Sequence, residues 1–221
     1  MENIKKERDD NMKDDIEVLC HSSIKITDEN IIYFDPFHIK KDYKDADIIF
    51  ITHNHYDHFS KDDIEKVRKE NTKIVIPKSM HKEALEIDFK EENIVEVEPN
   101  CEYMGDEMKF ETIPAYNIDK QFHPKENNWV GYIIYINDIS YYIAGDTDIT
   151  EENLKVVCDI ALVPVGGTYT MDYKEAADLV NRIHPKLAIP THYGDIVGNK
   201  EDGESFKKLL NNDIECKILI K

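Results

Sequence analysis

Apolar residues along this 221-residue chain gather in short runs rich in Ile, Val, Phe and Tyr, separated by charged or Gly/Asn/Asp-containing stretches. Runs of that length and composition predict β-strands. They fall at Ile16–Cys20, Ser23–Thr27, Ile31–Asp35, Asp47–Thr52, Lys73–Ile76, Ile94–Val97, Met108–Ile113, Val130–Ile136, Ile139–Ala144, Ile160–Val165, Leu187–Pro190 and Glu215–Ile220. Asn137-Asp138, between two of them, predicts a tight hairpin. Helical spacing takes over in three places. Ser60–Lys69 opens on a serine cap with Asp63 three positions on, where a capping box carries Glu or Gln. Tyr173–His184 sets Ala176, Ala177, Leu179, Val180 and Ile183 on one face and stops before Pro185. Glu201–Asn211 is the third. Strands dominate and helices are interleaved without strict alternation, which predicts an α/β fold of two sheets sandwiched between helices, an αββα sandwich. The predicted domain spans 16–221, preceded by a charged arm over 1–15, flexible or helical.

The bulk properties narrow the function. Hydrophobic residues make up 41% and charged residues 33%, a balance that suits a soluble globular protein. No apolar run is long enough to span a membrane, and the first fifteen residues lack the apolar centre of a signal peptide, so a cytoplasmic location is expected. A net charge of −18 repels phosphate backbones and anionic membranes, and the expected partner is a small-molecule substrate rather than nucleic acid. Oligomeric state is left open. Cys20, Cys101, Cys158 and Cys216 form no C-x-x-C pair, which argues against a disulfide framework or a cysteine-based zinc site.

The candidate chemistry begins where the strand Asp47–Thr52, D-I-I-F-I-T, runs into T-H-N-H-Y-D-H-F-S. In an extended chain His53, His55 and Asp57 would share one face and His58 the other. Four such groups on one zinc would close its tetrahedron and leave no position for water. Dividing them between two neighbouring cations leaves room for further ligands and a water, so the spacing favours a dinuclear site.

The H-x-H-x-D-H pattern of His53–His58 resembles the signature of the metallo-β-lactamase superfamily of metal-dependent hydrolases. A-G-D-T-D at Ala144–Asp148 resembles its bridging-aspartate motif, and I-P-T-H-Y-G at Ile189–Gly194 its final histidine motif. C-H-S-S near the start, D-P-F at Asp35–Phe37 and V-G-G-T-Y-T-M at Val165–Met171 resemble the branch with ascorbate-6-phosphate lactonase-like and N-acyl-phosphatidylethanolamine phospholipase D-like proteins. The resemblance implies that His53 and His55 hold a first metal, that Asp57, His58 and His192 hold a second, and that Asp146 bridges them. Zinc is the expected metal, two ions in number, with manganese or iron as alternatives where oxygen ligands dominate. It implies hydrolysis of a small ester, lactone or phosphodiester by a metal-bound hydroxide, with Asp57 handling the proton. His21 is expected to lie at the cleft and touch substrate, the alternative being a place at the edge of the core.

One position departs from the pattern. Where the family places a third histidine for the first metal, this chain reads I-P-A-Y-N, with Asn117 in that place. Three readings stay open: His123 swings in from six residues downstream, Asn117 binds through its amide, or neither binds. Asp35 is a candidate support for a metal-bound imidazole, and Gly166-Gly167 a point of close backbone approach. Non-catalytic metal or ligand sensing is the alternative function. A di-iron redox protein is a weaker one, since no flavodoxin-like segment follows.

Overall fold

The computed structural model describes residues 16–105 and 108–220; the predicted arm over 1–15 lies outside the described residues. Thirteen strands form two sheets. The first runs in the order β1 (Ile16–Cys20), β2 (Ser23–Thr27), β3 (Ile31–Phe34), β4 (Ala46–Phe50), β5 (Arg68–Pro77), β6 (Ile94–Val97), antiparallel up to β3 and parallel beyond it. The second contains β7 (Glu102–Met104), β8 (Lys109–Pro114), β9 (Val130–Ile136), β10 (Ile139–Ile143), β11 (Ile160–Pro164), β12 (Leu187–Thr191) and β13 (Glu215–Cys216). Its pairing is antiparallel from β7 to β10 and parallel from β10 to β13. The β9–β10 turn has φ 49° at Asn137 and φ 65° at Asp138, the doubly left-handed pair of a type I′ hairpin.

The layering follows from side chains that alternate along strands buried on both faces. Ile48 and Phe50 point between the sheets, into a core shared with Phe34, Phe110, Tyr132 and Leu162. Ile49 and Ile51 point outward, beneath α1 (Lys61–Val67) and α2 (His81–Glu86), where Ile64, Val67 and Ala84 cover them. On the second sheet Ala161, Val163 and Ala188 face α3 (Tyr173–Ile183) and α4 (Asp202–Lys207), packed by Ala176, Val180 and Phe206. The αββα sandwich expected from the sequence is the observed fold. Five elements depart from expectation. β7 and α2 were not anticipated, because neither carries an apolar run of its own. β5 begins at Arg68, inside the helix expected over Ser60–Lys69, β13 ends at Cys216 rather than Ile220, and α4 ends at Lys207 rather than Asn211.

Asp63 at the third position of α1 forms no capping box. Its carboxylate instead accepts the backbone N–H groups of His38 and Ile39, at 2.9 and 3.0 Å, and the Ser60 hydroxyl at 2.8 Å. Asp172 and Glu175 form the reciprocal capping box at the start of α3. Among the described residues no helix is long and apolar enough to cross a membrane.

Candidate metal centre

Strands β1, β3, β4, β8, β10, β11 and β12 all deliver their following loops to one edge of the sandwich. At that edge a hydrogen bond from the Val130 N–H to the Thr52 carbonyl (3.3 Å) ties the two sheets. The loop after β4 turns at once. The His58 and Phe59 N–H groups both donate to the His55 carbonyl, at 3.0 and 2.7 Å. That turn overrides the alternation expected of extended chain, so His53 and His55 face one group of side chains, and Asp57 and His58 another.

The first group joins His53, His55 and His123. His53 Nε2 lies 3.1 Å from His55 Nδ1 and 3.2 Å from His123 Nε2, and Asp146 Oδ2 is 3.3 Å from His123 Nε2. The second joins Asp57, His58 and His192, with His21 behind them. His58 Nε2 is 3.6 Å and His192 Nε2 3.7 Å from Asp57 Oδ2. Asp146 stands between the groups, Oδ1 3.3 Å from His58 Nε2 and Oδ2 3.1 Å from His192 Nε2. All seven predicted metal residues therefore meet at one place.

Of the three readings at the departing position, His123 is the residue that reaches the cluster. Asn117 stands behind His123, its amide nitrogen 3.3 Å from His123 Nδ1, and that nitrogen donates to the Phe122 and Tyr169 carbonyls at 2.8 and 2.7 Å, using both hydrogens. Its backbone N–H donates to the His123 carbonyl (2.8 Å), closing a loop in which His123 takes φ 61°. Thr147 and Asp148 of the A-G-D-T-D motif hold the same loop through Tyr116 and Ile118.

Orientation comes from behind. Asp35 Oδ2 accepts from His58 Nδ1 at 2.7 Å and from the Thr52 hydroxyl at 2.6 Å, while Oδ1 accepts the Thr52 N–H. A carboxylate only accepts, so His58 carries its proton on Nδ1 and turns Nε2 into the cluster. The Thr52 hydroxyl, having given its hydrogen to Asp35, accepts from His53 Nδ1 at 3.0 Å and fixes that ring in the same sense. This relay is the carboxylate–histidine support typical of metal sites. Trp129 packs against His53, His55 and His123 with centroids 4.9–5.5 Å apart. The sequence reading singled out neither Thr52 nor the contact of Trp129 with three imidazoles. Thr52 could have been suspected from its place between a buried strand and the first histidine.

Charge in the cluster is strongly shaped by its surroundings. Burial would raise the Asp146 carboxyl, but the His192, His58 and His123 imidazoles crowded against it hold it well below the usual carboxylate range. Asp57 is likewise held low against its burial, by the nearby His192 imidazole and the hydrogen bond from His21. Burial lowers His53 strongly and His55 to a lesser degree, with neighbouring imidazoles adding to both, so each keeps a free lone pair at neutral pH.

These residues fit a metal pair. His58 Nε2, His192 Nε2 and Asp146 Oδ1 are buried without a hydrogen-bond partner, although each has an opposing group within 3.3 Å. They aim at a common point rather than at one another. Ligands around a tetrahedral zinc of ordinary bond length stand about 3.3 Å apart, close to the separations within both groups. His21 does not line the cleft. Its ring lies tilted against His192, with centroids 3.8 Å and planes 41° apart, and its Nε2 donates to Asp57 Oδ2 at 3.2 Å.

The chain's relatives agree with this geometry. Residues 15–192 match the family model of the β-lactamase superfamily domain. The chain belongs to the metallo-β-lactamase superfamily. A UPF0173 metal-dependent hydrolase of Thermococcus onnurineus is 30% identical over 92% of this chain and 95% of its own length. A crystal structure from Parabacteroides distasonis superposes with TM-score 0.78 at 30% identity, covering 93% of both chains. Igni18, a metallo hydrolase from Ignicoccus hospitalis, is alike in fold, with TM-score 0.74 at 20% identity over 93% of this chain and 94% of its own. This superfamily member is thus a metal-dependent hydrolase with a His/Asp cluster able to bind metal.

Above the cluster opens a cleft of about 300 Å³. His55, Asp57, His123, Asp146 and His192 form its floor, and Tyr56, Phe122, Tyr169 and Ile196 its apolar rim. None of the residues lining it is lysine or arginine.

Proposed function

We propose that the protein hydrolyses a small ester or lactone carrying an apolar group. His53, His55 and His123 would hold one divalent cation, Asp57, His58 and His192 a second, with Asp146 shared. The observation that carries this reading is the convergence of these seven side chains on two adjoining points in the floor of an apolar-rimmed cleft. Two cations there would acidify a water and polarise the oxygen under attack. Borderline-soft zinc suits the imidazole-rich donor set better than magnesium or calcium does.

The chain's own residues do the rest. Asp57, held as a carboxylate, is placed to take a proton from the attacking water and pass it to the leaving group. His21, whose Nε2–H donates to Asp57 Oδ2, keeps that carboxylate turned towards the cluster. Tyr56, Phe122 and Ile196 would cover the apolar part of the substrate and thin the water around it. Among the described residues lining the cleft no lysine or arginine offers a clamp for a polyanion, which favours an uncharged acyl group over nucleic acid or a phosphate-rich ligand.

The test is metal analysis of purified protein, then turnover of aryl esters, lactones and phosphodiesters with and without chelator. Chelator-sensitive hydrolysis of the neutral esters or lactones is the expected result. His55→Ala and His192→Ala are each expected to lower it at least about a hundredfold with the far-UV circular dichroism unchanged. Preference for a phosphodiester would overturn the substrate assignment. Less than one metal per chain and no chelator-sensitive turnover would leave a sensing role instead.

A further inference from the structure

On the opposite side of His21 from Asp57, at the rim of a second cavity of about 700 Å³, three side chains from distant parts of the chain meet. They are Cys20 at the end of β1, His38 after the D-P-F motif, and Asp195 three residues beyond His192. Cys20 Sγ is 3.6 Å from His38 Nδ1 and 3.2 Å from Asp195 Oδ2, and His38 Nδ1 is 3.2 Å from that same oxygen.

We propose that Cys20, His38 and Asp195 form a third metal site, separate from the central cluster, for a zinc-class divalent cation. A tetrahedral zinc with sulfur, nitrogen and oxygen ligands at ordinary bond lengths separates those atoms by about 3.3–3.6 Å. The three observed separations trace one face of that tetrahedron. Thiolate, imidazole and carboxylate together select a borderline-soft cation over magnesium or calcium. His38 and Asp195 are about half exposed, so the fourth position is open to solvent.

The supporting frame is already in place. His38 sits at φ 51°, a left-handed conformation unfavourable for a side chain with a Cβ. Asp63 holds it there by accepting the His38 and Ile39 N–H groups, and Phe37 stacks on its ring at 3.9 Å. A hydrogen-bonded trio without metal would place the same atoms together, with the thiol donating to Asp195. A nucleophilic role is poorly served by that arrangement, because burial and the adjacent carboxylate push the Cys20 thiol up to about 12. A divalent cation among the three atoms reverses that sign and deprotonates the thiol outright. It would also tie the segment carrying His21 to the segment carrying His192, which already share a hydrogen bond from the His192 N–H to the His21 carbonyl (2.9 Å).

The readout is specific because the central cluster contains no sulfur, and among the described residues no other cysteine joins a group of three ligating side chains. Metal-stripped full-length protein titrated with cobalt(II) should develop visible ligand-field bands from the nitrogen and oxygen ligands. Near-ultraviolet thiolate-to-cobalt charge transfer should accompany the last equivalent bound. Cys20→Ser should abolish the charge-transfer band and lower the metal count by one equivalent while leaving the other bands. His38→Ala, a surface change that leaves the sulfur in place, should weaken that equivalent by roughly tenfold or more. No charge-transfer band at saturating cobalt, or a band that survives Cys20→Ser, overturns the proposal. Uptake of a single cobalt equivalent that already shows the charge transfer, and of none by Cys20→Ser, would instead count against the central pair.

Discussion

Asn117 stands where the superfamily has a histidine, and its side chain has been given a different task. It donates to two carbonyls and so tethers the loop that carries His123 into the cluster. Asn117→Ala is therefore expected to weaken metal binding about 10–100-fold, as measured by competition with a chromophoric chelator. Asn117→His should bring no gain in affinity, because His123 already reaches the cluster and the side chain at 117 lies behind its ring. Asp63 is a second residue whose carboxylate acts at a distance from its own helix. Burial would raise it, but hydrogen bonds from Lys66, Ser60 and Ile39 prevail and hold it below its ordinary value of 3.8. A depressed carboxyl stabilises the fold fully above its unfolded value and loses that contribution as pH falls through the folded one. Asp63→Asn should thus be less stable by about 1–2 kcal/mol at pH 7. Urea unfolding of the two proteins should show the gap closing below about pH 3.8.

At the scale of elements, the site depends on strands ending together and on backbone that can pass close beside them. Gly166, just beyond β11, is one such passage: a Cβ there would lie 2.1 Å from the His192 carbonyl oxygen. Gly166→Ala must push the loop after β12 aside. A loss of about 1–3 kcal/mol is expected, together with fewer metal equivalents per chain in plasma emission analysis. Full metal content in that variant would show that the His192 loop can shift without leaving the cluster. Several turns at this edge are held in left-handed backbone by side-chain residues rather than glycine. Asp35, His123 and His192 have φ of 43°, 61° and 57°. Such strain persists only where surrounding contacts over-determine it, and at functional sites it presents a side chain that relaxed backbone would turn away.

For the whole molecule, buried imidazoles and carboxylates facing one another would make the centre dependent on the cations proposed for it. Stripping them leaves buried nitrogen and oxygen atoms without partners. Each cation held at a hundred times its dissociation constant would stabilise the fold by about 2.7 kcal/mol. For a chain of this size that corresponds to a Tm lower by roughly 5–10 °C for each cation removed by chelation. Scanning calorimetry before chelation, after it, and after zinc is returned checks this, and an unchanged Tm would speak against occupancy of the buried pair.

All the strands but β7 were legible in the sequence because each of them carries its own apolar run, and the layers followed because residues such as Ile48 and Ile49 serve opposite faces of one strand. The motifs around His53, Asp146 and His192 were legible too, since their spacing is local and chemically rare. Tertiary structure decided what local spacing cannot encode. A turn closed on the His55 carbonyl parted the histidine run into two groups, and a tethered loop brought in His123 in place of Asn117. His21 went behind Asp57 rather than into the cleft, and Cys20 met His38 and Asp195 across 18 and 175 positions of chain. Such contacts arise from the packing of two sheets, and no property of either residue alone announces them.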